Sequence, residues 1–167
     1  MAQIYMTAGY VKLAKLWERS KDAALLYHRE YYERKYAKSG KFHLYDIYID
    51  ITGQKEIHRR PEMLRLLRDC ALGKIDCIAT QTRGYLAANT KEFCYLVKFL
   101  FDAEQKVDLI TEDESYHIDT TLNKDRQREA LLKMACDYIN LNPPDYQTWC
   151  NQILSGMDKL PRDPKEA

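Results

Sequence analysis

The chain has 167 residues, with 26 Lys or Arg against 25 Asp or Glu and a formal net charge of +1. That length suits one domain with a short appendage, and the balanced charge excludes nucleic-acid binding driven by bulk charge alone. No apolar run approaches the roughly 20 residues of a membrane span, and five scattered cysteines without a Cys-x-x-Cys pair or a signal-peptide pattern point to a reducing cytoplasm.

Residues 4–13 read as a first strand with small residues near its centre. Residues 21–38 read as a helix, with Ala24, Leu25, Tyr27, Tyr31, Tyr32 and Tyr36 near helical spacing and Ser39-Gly40 as its end. A second strand covers 44–49, and a loop from Asp50 to Arg59 follows. Pro61 then opens a helix that buries Met63, Leu64, Leu66, Leu67 and Cys70 and stops at Leu72-Gly73. A third strand spans 75–80, a helix from Thr90 carries Phe93, Leu96, Val97 and Leu100, and a fourth strand runs from Val107 to Thr111. The acidic run Glu112 to Glu114 reads as a solvated loop, followed by a short strand from Tyr116 to Ile118. Residues 123–140 form a last long helix with Leu131, Leu132, Ala135, Tyr138 and Ile139 on one side. Asn142-Pro143-Pro144 breaks the chain, and Trp149, Ile153 and Leu154 mark one more short helix.

Strands alternating with helices predict an α/β class with a mainly parallel sheet of four to five strands and helices on both faces. The expected organisation is a domain over 1–141, a short helical appendage over 142–157 and a flexible tail over 158–167. Arg60 and Arg83 fall at the ends of two βα units, where loops meet phosphate or substrate. Neither standard Gly-rich phosphate loop, nor His-Glu-x-x-His, nor Gly-x-Ser-x-Gly is present, so no cofactor and no metal are expected. His28, His43, His58 and His117 stand alone, without ligand-spaced partners.

Several features occur in a meaningful order. Gly9-Tyr10-Val11-Lys12-Leu13-Ala14 ends the first strand, and His28 lies in the first helix. Asp50-Ile51-Thr52-Gly53 leads to Arg60-Pro61 and a leucine-patterned helix. Gly73-Lys74-Ile75-Asp76 precedes a strand ending in Thr82-Arg83, and Asn89 to Phe93 opens the next helix. Over roughly residues 5–140 this set resembles the N-terminal catalytic domain of the serine site-specific recombinases, the resolvase/invertase family. The resemblance implies a three-layer α/β domain with a long C-terminal helix that builds a dimer interface. It also implies a reaction in which a serine attacks a DNA phosphodiester and fixed arginines meet the developing charge.

Set against the family's Tyr-x-Arg-x-Ser motif, this chain reads Tyr10-Val11-Lys12-Leu13-Ala14. The nucleophile position is Ala14, the arginine is Lys12, and the family's helix glutamine is His28. Arg60 and Arg83 are kept, the family's Asp before the second of these is Thr82, and a further Arg is missing whether it is sought at Leu86 or Ala88. Only four serines exist, at 20, 39, 115 and 155, and Ser20 alone lies near enough to replace the nucleophile, with a helix-capping role as its simpler reading. No catalytic residue is therefore assigned. The expectation is a recombinase homologue impaired in catalysis, acting through DNA or partner binding in DNA recombination, and associating as a homodimer or higher oligomer through the 123–140 helix. Two alternatives stay open: an active strand-transfer domain with a displaced nucleophile, and a small α/β protein holding a phosphorylated ligand. In either DNA-binding or ligand-binding form, Lys12, Arg60, Arg83 and His28 are the candidate phosphate contacts, with surface ion pairing as the competing role for the three cations. Arg126 and Arg128 carry the same two readings. The 27 residues after Asn140 have neither the length of a DNA-reading module nor zinc-ligand spacing, so sequence-specific recognition by this chain alone is not expected.

Overall fold

The computed structural model describes residues 3–102, 106–114, 117–122 and 124–161. Strands β1 (Tyr5–Leu13), β2 (Phe42–Ile51), β3 (Cys77–Thr80), β4 (Asp108–Thr111) and β5 (Ile118–Asp119) form one sheet in the order β2-β1-β3-β4-β5. All pairings are parallel except β4 with β5. The predicted class and the mainly parallel sheet are therefore what the chain adopts. The predicted short strand from Tyr116 is reduced to Ile118–Asp119, with Tyr116 outside the described residues. Every residue of β3 and β4 is buried, as parallel strands covered on both faces require.

Helix α1 (Lys21–Tyr36) covers one face of the sheet. Its core side is aromatic: Tyr32 stacks on Tyr36 at 6.1 Å, and Tyr36 meets Phe42 edge-on at 5.3 Å. The Tyr32 ring lies flat against β1, where a Cβ on Gly9 would come within 2.9 Å of it. The small residues at the centre of the first strand thus make room for a ring.

Helices α2 (Pro61–Ala71), α4 (Thr90–Asp102), α5 (Lys124–Ile139) and α6 (Pro143–Asp158) enclose the larger core on the other face. A single turn, α3 (Arg83–Leu86), which sequence periodicity does not reveal, follows β3. Helix α2 begins at Pro61, but Arg60 before it offers no side-chain cap. Asp50, at the end of β2, supplies one: its carboxylate accepts from the Glu62 and Met63 amides, each at 2.9 Å.

The acidic run is not a free solvated loop. Glu112 accepts from Tyr31 and pairs with Lys35, and Asp113 accepts from the Thr82 hydroxyl at 2.7 Å and the Arg83 amide at 2.8 Å. Arg128 pairs with the buried Asp108 and lies over the Phe101 ring at 5.6 Å, so it closes the core instead of facing outward.

The C-terminal helix spans Pro143–Asp158, close to the 142–157 expected, and packs into the main core. The prolines sit in the first turn of a 16-residue helix, a position that needs no amide hydrogen. Trp149 and Ile153 are buried in the main core, and the Trp149 indole N–H donates to buried Glu92 at 2.8 Å. Leu160 packs on the same core, and Arg68 donates to the Pro161 carbonyl at 3.0 Å. Residues 162–167 lie outside the described part.

Candidate functional site

The ends of β1, β2 and β3, with the loops that follow them, carry Lys12, Ala14, Arg60, Thr82 and Arg83. Pairing of β1 with β2 sets Lys12 beside Asp50 and Tyr10 beside Tyr48. Tyr10, fully buried, donates to Asp50 at 2.8 Å. Burial, then the Asp50 charge, raises the Tyr10 phenol well above its usual range, so it stays protonated. Lys12 is half-buried, and its ammonium reaches the Thr52 carbonyl at 3.4 Å. Burial and then the neighbouring Arg60 and Lys55 cations lower its pKa, against the pull of Asp50. This cationic corner is electrostatically suited to an anion.

Arg60 does not present its fork to that corner. The residue is fully buried, and its guanidinium donates to the carbonyls of Lys55 at 2.6 Å, Tyr85 at 2.8 Å and Leu86 at 3.0 Å. It ties the loop after β2 to α3. A guanidinium so enclosed contributes field to a nearby phosphate but no direct contact in this conformation.

Arg83 faces a different cleft. Its guanidinium lies over the Phe93 ring at 5.5 Å, in a recess of about 280 Å³ shared with Thr82, Asn89, Asp113 and Met134. Thr82, at the family's acid position, accepts from the Gly84 amide at 3.3 Å and so caps α3.

Ala14 follows β1 in extended backbone, exposed, and precedes the 3-10 turn Lys15–Ser20 without a side-chain cap. Ser20, at the head of α1, is exposed and likewise makes no capping hydrogen bond. Ser39 accepts from the Lys41 amide, and Ser155 is exposed on α6. Ser115 lies outside the described residues.

His28 is on the opposite face of the sheet from Lys12 and Arg60. It is buried, its Nδ1 has no hydrogen-bond partner among the described residues, and burial lowers its pKa. A neutral imidazole is a poor partner for a phosphate. With Leu13, Trp17, Ala23, Ala24, Tyr27 and Tyr85 it lines a groove of about 590 Å³. Among the four candidates, then, only Lys12 and Arg60 are brought together. The sequence does not announce the aromatic groove; Trp17, four residues before α1 begins, and Tyr27 are the lining rings visible in it.

No group of three His, Cys, Asp or Glu among the described residues is placed to hold a metal ion, and no described helix is long and apolar enough to cross a membrane.

A mainly parallel sheet with helices on both faces, an exposed end of β1 and arginines after β2 and β3 define an α/β domain with its candidate residues at the ends of the strands. The family model "Resolvase, N terminal domain" matches residues 20–138, and the chain belongs to that family. The matched stretch begins after β1 and Ala14. The crystal structure of the N-terminal catalytic domain of TP901-1 integrase aligns with a TM-score of 0.54 and 22% identity, covering 82% of this chain and 98% of that domain. It shares the fold. Comparison with curated protein sequences gives no match.

Proposed function

We propose that this resolvase-family domain serves DNA recombination by binding DNA or a recombination partner, without cleaving DNA itself. The observation that carries the reading is Ala14, which stands where the family's nucleophile would be and offers no atom able to attack phosphorus. Two further features support it. Arg60 is committed to three backbone carbonyls, and Thr82 caps a helix turn with a hydroxyl that also donates to Asp113. Loss of a nucleophile alone costs roughly 10⁶ in rate in a well-studied hydrolase. Lys12 and Arg83 remain half-exposed and supply the positive charge for phosphate contact.

The test is a gel shift at low salt together with a cleavage assay on suicide-substrate DNA carrying a family-type crossover site. Wild type and an Ala14→Ser, Thr82→Asp variant are run side by side. A retarded complex without a covalent protein–DNA adduct is the expected wild-type result. An adduct formed by wild type would point to a displaced nucleophile, with Ser20 the first residue to replace. No retardation even at low salt would transfer the reading to a small phosphorylated ligand.

A further inference from the structure

A recess of about 370 Å³ lies where the 3-10 turn Ile57–Arg59 meets the starts of α4 and α6, and none of Lys12, Arg60, Thr82 or Arg83 lines it. Glu92 is the buried acid of its wall, 8% exposed. One carboxylate oxygen, Oε2, accepts from the Ile57 amide at 3.3 Å and the Trp149 indole at 2.8 Å. The other, Oε1, makes no hydrogen bond among the described residues, yet it is not one of the sealed unpaired atoms, so it is open to the recess. The neutral neighbours are turned elsewhere: the Thr148 hydroxyl donates to the Pro144 carbonyl at 3.1 Å, and the Asn89 side-chain oxygen accepts from the Glu92 amide at 2.9 Å. Among the charged ones, Glu56 is engaged by His58 at 3.3 Å and Arg59 at 3.5 Å, which leaves Glu92 and the exposed Asp145 against Lys91 alone. Both helices carry their own acid in the first turn, Glu92 in α4 and Asp145 in α6, so the recess does not offer bare amide ends to an anion. An ionised carboxylate oxygen can only accept, and a buried one is best compensated by a donor that brings positive charge.

We propose that this recess binds an alkylguanidinium group, with one of its N–H groups donating to Glu92 Oε1. The need for a donor follows from the open carboxylate oxygen, and the positive charge from the excess of acid around it. A guanidinium suits the place better than an ammonium, because it is planar, weakly hydrated and packs against rings, and Tyr95 and Trp149 both belong to the lining. The volume lies within the range of small-molecule sites. The proposal does not depend on whether the domain binds or cleaves DNA.

Methylguanidinium is the probe, methylurea its uncharged counterpart of similar shape, and tetramethylammonium a cation without N–H donors. Each is titrated into the full chain at constant ionic strength while amide and indole N–H signals are followed by two-dimensional NMR. Methylguanidinium is expected to shift the Trp149 indole signal and the amides of His58, Lys91 and Glu92, and to bind about fivefold or more tightly than either control. Glu92→Gln keeps an oxygen for the Trp149 donor and should erase that preference. Gln152→Lys, at an exposed lining position, adds a tethered ammonium and should weaken methylguanidinium by about fivefold or more with the folded spectrum retained, which keeps the test decisive if Glu92→Gln fails to fold. A glycyl-arginyl-glycine amide capped at its N-terminus separates the two sources of the group. Binding as tight as that of methylguanidinium would assign the recess to an arginine side chain of a partner chain, and exclusion of the peptide would assign it to a free small molecule. Absence of the expected shifts at high millimolar methylguanidinium in folded protein would overturn the proposal. So would equal binding of the three probes to wild type, or larger shifts with inorganic phosphate than with methylguanidinium.

Discussion

Arg60 shows how one residue's conformation decides its role. Its sequence position, just before a Pro-initiated helix, suits phosphate contact, yet its guanidinium holds Lys55, Tyr85 and Leu86 carbonyls in a fully buried setting. Arg60→Met should therefore lower unfolding free energy by about 3 kcal/mol or more, since it leaves buried carbonyls unpaired. Arg60→Lys should recover only part of that loss, because a single ammonium cannot span the three acceptors. Urea denaturation measures both, and a folded, equally stable Arg60→Met protein with weakened DNA binding would contradict this assignment. His28 makes a prediction of opposite kind. Its folded pKa lies below the 6.5 of a free histidine because burial penalises the charged form. The unfolded chain then binds more protons than the native one between those two pKa values. Stability associated with neutral His28 is present above pH 6.5 and is lost as pH falls toward the folded pKa. Chemical denaturation of wild type and His28→Phe from pH 7.5 downward should show the variant losing less stability across that window.

Among the elements, α6 packs more closely into the domain than the appendage the sequence suggests. Two prolines after Asn142 resemble a terminator, because proline stops a helix from within. At the first turn the same residues start one, and only the packing partner reveals which applies. Here that partner is Glu92 on α4, whose carboxylate accepts from the Ile57 amide at 3.3 Å and the Trp149 indole at 2.8 Å. Trp149→Phe retains the stacking with Tyr146 and should cost about 1–3 kcal/mol for the lost donor. Trp149→Ala removes the ring as well and should cost about 3–5 kcal/mol. Equal stability of wild type and Trp149→Ala in urea would make α6 a dispensable addition. The strands and the other long helices were readable beforehand for a simple reason. Their buried positions, such as Met63, Leu66, Leu67 and Cys70, repeat with the period of the element itself. The direction of a guanidinium, the turn after β3 and the destination of a helix beyond two prolines have no such period. They are set by contacts distant in sequence.

At the scale of the molecule, α5 has two apolar stripes, and only one is used. Leu131, Ala135 and Ile139 turn toward the core, with Ala135 and Ile139 buried. Met134 and Tyr138 follow at a spacing of four and are 43% and 39% exposed, and Leu141, in the turn just beyond the helix, is 82% exposed. Residues so spaced share one helix side, and a continuous apolar strip on that side favours helix–helix association. We propose a second copy of the chain as the occupant, the self-association expected of the 123–140 helix. We expect sedimentation equilibrium at micromolar concentrations to show a reversible dimer or higher oligomer. Met134→Glu combined with Tyr138→Glu should shift it to monomer, because charges buried in such a contact lack partners. Neither side chain lies in the core, so the melting temperature measured on dilute protein should stay within a few degrees of wild type. A monomeric wild type would remove α5 as an interface, and with it the route by which a non-cleaving domain could join an assembly of active relatives through this helix.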